Sequence, residues 1–113
     1  MHMRAIDLCP YDSGLTTSGG DGARAFDVRA SLVSLLFVGT FPLRELITRD
    51  ALARDIEQSD QPVALLTDAE YQWILKALDA AADHLRARHY TEFLRRIYDA
   101  PLVEGTRRGL HAV

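Results

Sequence analysis

The sequence predicts a predominantly α (α+β) fold: three to five amphipathic helices with a short N-terminal strand and a Gly-rich loop. Three observations carry that expectation. Val28, Leu32, Leu35 and Leu36 recur at helical spacing. Thr67 and Glu70 have the spacing of a capping box, and Tyr71, Ile74, Leu75 and Leu78 continue behind it. Arg4 to Leu8 alternates with the period of a strand.

Taken in chain order, 1–25 reads as a strand plus a flexible loop. Four glycines, Gly14, Gly19, Gly20 and Gly22, fall between Pro10 and Arg24 and oppose regular structure. A mobile loop or a wide hairpin is expected, with the first strand paired at an edge or contributed to a partner. Asp27 is placed as the N-cap of the first helix and Gly39 as its stop. Pro42 can open the next helix, whose apolar positions are Leu43, Leu46, Ile47, Leu52 and Ile56. Their spacing is imperfect, and Thr48 or Asp50 could cap a second short helix there.

Pro62 to Leu66 is a short apolar run, a strand or a tether. Leu66 and Tyr71 flank the capping box as a hydrophobic staple, and Asp68 and Glu70 sit at the positive end of the helix dipole. The apolar face runs on through Ala82 and Leu85 and resumes at Tyr90, Phe93, Leu94 and Ile97. The polar stretch Asp83 to His89 between them predicts a break. Pro101 ends the last helix, and Leu102 and Val103 pack back as an extended tail. Leu32, Leu36, Ile74, Leu78, Phe93 and Ile97 are expected to share one core. The whole is a single domain over 1–113, with a helical core at 26–104 and a basic tail at 105–113.

Charge and composition bound the function. Twelve of the thirteen basic residues are Arg, and Lys76 is the only Lys. Residues 1–83 hold seven basic and thirteen acidic groups, a net of -6, whereas 84–113 hold six and three, a net of +3. An acidic body with a basic end can attract an anionic partner or the acidic face of a second copy; ordinary solvation explains it as well. No apolar run approaches the ~20 residues of a membrane span. The N-terminus carries no apolar signal core, and the one cysteine, Cys9, allows no disulfide within the chain. The expected location is the bacterial cytoplasm or a virion.

Specific chemistries find little support. Gly14 to Gly19 has phosphate-loop spacing, but Gly20 stands where the lysine belongs. His84 and His89 are five residues apart, turned ~140° from each other on a helix, so they do not make a metal pair. Asp79 and Asp83 have no His or Cys on their face and read as solvated carboxylates. Cys9 has no neighbouring histidine to act as its base. Ile47 to Ile56 resembles the first half of a helix-turn-helix, but Pro62 spoils the second half. No cofactor or metal is therefore expected.

Trp73 lies two residues after Tyr71 and points off the main apolar face, as a shoulder of the core or a contact for a partner. Arg86, Arg88, Arg95, Arg96, Arg107 and Arg108 are the plausible phosphate contacts, or else they cover acidic and apolar surface with their stems and heads. Trp73 and these arginines form the candidate interface.

Four stretches in order carry a resemblance: Phe26 to Leu32, Arg49 to Arg54, Leu65 to Tyr71 and Phe93 to Pro101. They resemble the small orphan proteins of tailed-bacteriophage genomes over about residues 26–104. The resemblance implies a phage-encoded or prophage accessory protein, a virion or assembly component, and carries over no functional residue. The expected function is thus a non-enzymatic protein–protein interaction, in particle assembly or on a host protein, with the chain a homo-oligomer or part of a larger assembly. A small regulator contacting nucleic acid through its C-terminal arginines is the alternative, and an enzyme with an unrecognised site is the third reading.

Overall fold

The computed structural model describes residues 2–16 and 23–104. The fold is α+β. Strand β1 (His2–Asp7) is followed by β2 (Tyr11–Thr16) and β3 (Ala23–Phe26), then by helices α1 (Val28–Leu35) and α2 (Glu45–Gln58). Strand β4 (Val63–Leu66) leads into α3 (Asp68–Ala80). Two short 3-10 turns (Ala82–His84 and Arg88–Tyr90) precede α4 (Thr91–Tyr98), and β5 (Leu102–Glu104) follows it.

The first strand is not at an edge. It is the centre of an antiparallel sheet ordered β4-β1-β5, with Ile6 opposite Ala64 and Met3 opposite Val103. Its mates are the apolar run after Pro62 and the tail after Pro101. These pairings span most of the chain, so the local pattern around Arg4 to Leu8 could not announce them. β2 and β3 make a separate antiparallel hairpin, with Tyr11 opposite Phe26. The remainder of the Gly-rich segment, 17–22, lies outside the described residues, as does the basic tail at 105–113.

Local chemistry sets the helix ends as expected at α1 and α3. The Asp27 carboxylate accepts from the Ala30 amide at 3.0 Å. Gly39 closes the turn after α1 with φ +92, a backbone region that glycine enters without a Cβ penalty. At α3 the Thr67 hydroxyl accepts from the Glu70 amide and the Glu70 carboxylate accepts from the Thr67 amide at 2.9 Å, a complete capping box. Leu66 and Tyr71 on either side are both buried.

Helix α4 has no side-chain cap of its own; other elements supply its ends. At its start the Tyr11 hydroxyl accepts from the Phe93 amide at 3.1 Å and donates to the His89 carbonyl at 2.8 Å. At its end Tyr71 donates to the Ile97 carbonyl at 2.6 Å and Arg4 to the Ala100 carbonyl at 2.9 Å. The hairpin is seated by aromatic contact: Tyr11 stacks on Phe26 at 4.9 Å, and Phe26 meets Phe93 and Tyr90.

Helices α1 and α2 hold each other by exchanged arginines. Arg29 of α1 donates to the Ile56 carbonyl near the end of α2 and to the Gln61 carbonyl. Arg49 of α2 donates to the Leu36 carbonyl just past α1 at 2.8 Å. A guanidinium at a helix C-terminus satisfies an orphan carbonyl and lies at the negative end of the dipole. α2 is one continuous helix, with neither Thr48 nor Asp50 starting a second one.

One apolar cluster unites these elements. It includes Leu32, Leu36, Ile74, Leu78, Phe93 and Ile97, together with Ile6, Leu66 and Val28.

Candidate functional site

The described arginines of the expected interface, Arg86, Arg88, Arg95 and Arg96, do not form one surface. Arg96 is a structural clamp. Its Nε reaches Glu92 at 2.8 Å, its NH1 donates to the Cys9 carbonyl at 2.6 Å, and its guanidinium lies 5.1 Å from the Tyr11 ring centroid. It ties the end of β1 to α4. Arg95 pairs with the same Glu92. Arg86 is exposed near Asp83, beside a separate shallow hollow lined by Leu78, Leu85, Leu94 and Tyr98. Arg107 and Arg108 lie outside the described residues.

Arg88 and Arg95 do share a cleft of about 330 Å³, with Tyr11, Asp12, His89, Thr91 and Glu92. Two of its groups have their titration displaced. Hydrogen bonds from Arg95 and Arg96 hold the Glu92 carboxyl below its ordinary range. Burial pushes the Tyr11 phenol up. Glu92 therefore stays ionised and Tyr11 stays protonated around neutrality, as suits a cap and an ion cluster. Cys9 is exposed, and its hydrogen bond with Asp7 and that carboxylate's charge push the thiol up, away from a reactive thiolate. Among the described residues, no group of three or more His, Cys, Asp or Glu side chains is gathered to hold a metal ion. No helix among them is long and apolar enough to cross a membrane.

Trp73 is half-buried against the core. Its outer face is covered within the chain: the Arg49 guanidinium lies 4.8 Å from its ring centroid and 4.0 Å from that of Phe41. Arg49 is itself only 5% exposed and bonds Glu45 through Nε and NH2. A buried arginine between two aromatic rings is the feature that sequence reasoning missed.

The second missed feature adjoins it. Leu43 is 83% exposed and Ile47 75%, with Leu46 and Phe37 also open to solvent. All four belong to the corner between α1 and α2. Sequence reading had grouped Leu43, Leu46, Ile47, Leu52 and Ile56 as the apolar positions of one segment with imperfect spacing. The packing separates them. α2 turns Arg49, Leu52, Ala53 and Ile56 inward. Ile47 lies nine residues before Ile56, about 180° round the helix. The signal was present as that imperfect spacing, which records two apolar stripes on opposite faces.

Two regions thus compete as sites. In the cleft at α4, Glu92 and Arg95 are already paired with each other. The α1–α2 corner presents apolar side chains that water covers at a cost of about 25 cal/mol per Å². Comparison of the chain with protein-family models, with curated proteins and with solved structures found no match.

Proposed function

We propose that the protein is a non-enzymatic interaction protein that docks a macromolecular partner on the α1–α2 corner. The observation that carries this reading is the pair of exposed apolar residues Leu43, in the turn before α2, and Ile47, on that helix, whose inward face is already complete. A contiguous apolar surface rimmed by polar groups is the common mark of a protein interface. The partner face is the outer side of α2, with Phe37 and Leu46 as its flank. The phage resemblance of the sequence supports a role in particle assembly or on a host protein, in the bacterial cytoplasm or the virion.

The nucleic-acid reading is weaker. Among the described arginines of that set, Arg96 and Arg95 are engaged by Glu92, Arg86 faces elsewhere, and only Arg88 and Arg95 share one cleft. A phosphate backbone needs several free cations in a row.

Affinity capture from the cells that encode the chain tests the proposal. The wild-type chain is expected to retain a defined partner that Leu43→Glu and Ile47→Glu both lose, while Arg88→Ala keeps it. A partner held equally by all four baits contradicts the assignment of the face.

A further inference from the structure

Resting on that reading of the face, we infer that its occupant is a second copy of this chain, docked by antiparallel pairing of two α2 helices. The argument is self-complementarity in shape and in charge. On a helical projection of about 100° per residue, Ile47 marks the outward direction. Ala51 lies ~40° to one side, with Arg54 and Gln58 within ~20°, and the exposed Leu43, in the turn two residues before α2, precedes Ile47 at the start of the stripe. The outward stripe is therefore bulky at its start and small or polar further on.

Two copies related by a two-fold axis near residue 49 set these halves against each other. Ile47 of each copy meets Ala51 of the other, a large side chain against a small one. That match lets helix axes approach to about 8–10 Å. Leu43 then overlies the aliphatic stems of Arg54 and Gln58 of the second copy.

Charge gives the same register. Arg44 and Asp55 are both exposed and lie on the same flank of the outward stripe. Among the described residues neither has an ion-pair partner. Eleven residues separate them, ~16 Å along the axis, so they cannot meet within one chain. In the antiparallel arrangement like flanks face each other, and Arg44 of one copy stands beside Asp55 of the other. Two such pairs form, one at each end of the contact. An isologous contact of this kind closes on itself and leaves the apolar stripe covered.

Sedimentation velocity of the full chain from micromolar to millimolar concentration tests the inference. Wild type is expected to pass from monomer to dimer. Ile47→Glu is expected to stay monomeric with an unchanged circular dichroism spectrum. Arg44→Glu and Asp55→Arg should each weaken the dimer about tenfold, and the double variant should recover most of the loss. A wild type that stays monomeric throughout overturns the inference, as does a dimer that survives Ile47→Glu, or a double variant no better than its parents. If wild type is monomeric yet Ile47→Glu abolishes capture of a different protein, the second-copy inference falls and the interaction reading stands.

Discussion

Helices α2 and α3 are nearly equal in length and differ in what they put inside. α3 buries Tyr71, Ile74, Ala77 and Leu78, and its start is closed by its own Thr67–Glu70 box. Of its charged residues, Asp68, Lys76 and Asp79 are at the surface, while Glu70 is buried as the partner of Thr67 in that box. α2 buries an arginine and exposes an isoleucine. It has no side-chain cap at its start, and it is joined to α1 through Arg49 and Arg29 in addition to the core that Leu52, Ala53 and Ile56 share with Leu32 and Leu35. α3 is the helix of a core. α2 has one face for the core and a second apolar face that its own fold leaves open. A helix patterned on both faces is expected where a second surface must be covered.

The contrast can be broken most directly by truncation. Leu78→Ala is expected to cost about 2–5 kcal/mol, because it empties a buried site. Ile47→Ala should change the stability of the monomer by no more than about 0.5 kcal/mol. Urea denaturation at low protein concentration reads both. A large loss for Ile47→Ala under those conditions would place that side chain in the chain's own core.

Arg49 sharpens the comparison next. Arg49→Met keeps much of the volume but leaves the Leu36 carbonyl without its donor and Glu45 without its partner. The expected cost is about 2–3 kcal/mol. The fluorescence of Trp73, the single tryptophan, should change with it as the stacked cation is lost. An unchanged emission spectrum would detach Arg49 from Trp73. At the helix starts the expected effects are smaller. Thr67→Ala should lower stability by about 1 kcal/mol, while Arg44→Ala, at a start with no side-chain cap, should stay within about 0.5 kcal/mol.

The smallest effect is expected with pH and concerns neither helix, so it serves as a control. Glu92 has its folded pKa lowered, first by its hydrogen bond from Arg95 and then by that from Arg96. The stabilisation from a lowered carboxyl is fully present above the unfolded value of about 4.3 and is lost as pH falls through the folded value. Stability should therefore decline on acidification below that point, and Glu92→Gln should flatten the decline. Asp7, lowered chiefly by the backbone amide of Cys9, adds to it in the same direction. A titration that Glu92→Gln leaves unchanged would remove Glu92 from this account.

What could be read from the residues alone was what neighbours in sequence decide. The Asp27 cap, the Thr67–Glu70 box, the break before Tyr90 and the shared core of Leu32, Leu36, Ile74, Leu78, Phe93 and Ile97 all follow from spacing within a helix or just outside it. What remained hidden depends on distant segments. The central position of β1 rests on mates near residues 64 and 103. The caps of α4 come from Tyr11 and Tyr71, far away along the chain. The arginines divided in the same way. Their number was visible, but Arg4, Arg29, Arg49 and Arg96 are spent on backbone carbonyls that only the tertiary fold brings near them. Of the arginines expected at an interface, Arg96 is engaged in this way and Arg95 pairs with Glu92, while Arg107 and Arg108 lie outside the described residues.

The central claim is that the outward face of α2 covers itself with the same face of another molecule. The most direct test is an isotope-filtered nuclear Overhauser experiment on an equal mixture of ¹³C-labelled and unlabelled chains at high concentration. The account predicts intermolecular cross-peaks between the Ile47 methyls of one copy and the Ala51 methyl of the other. Ile47 methyls that show no contact between copies and remain open to a soluble paramagnetic probe would contradict it.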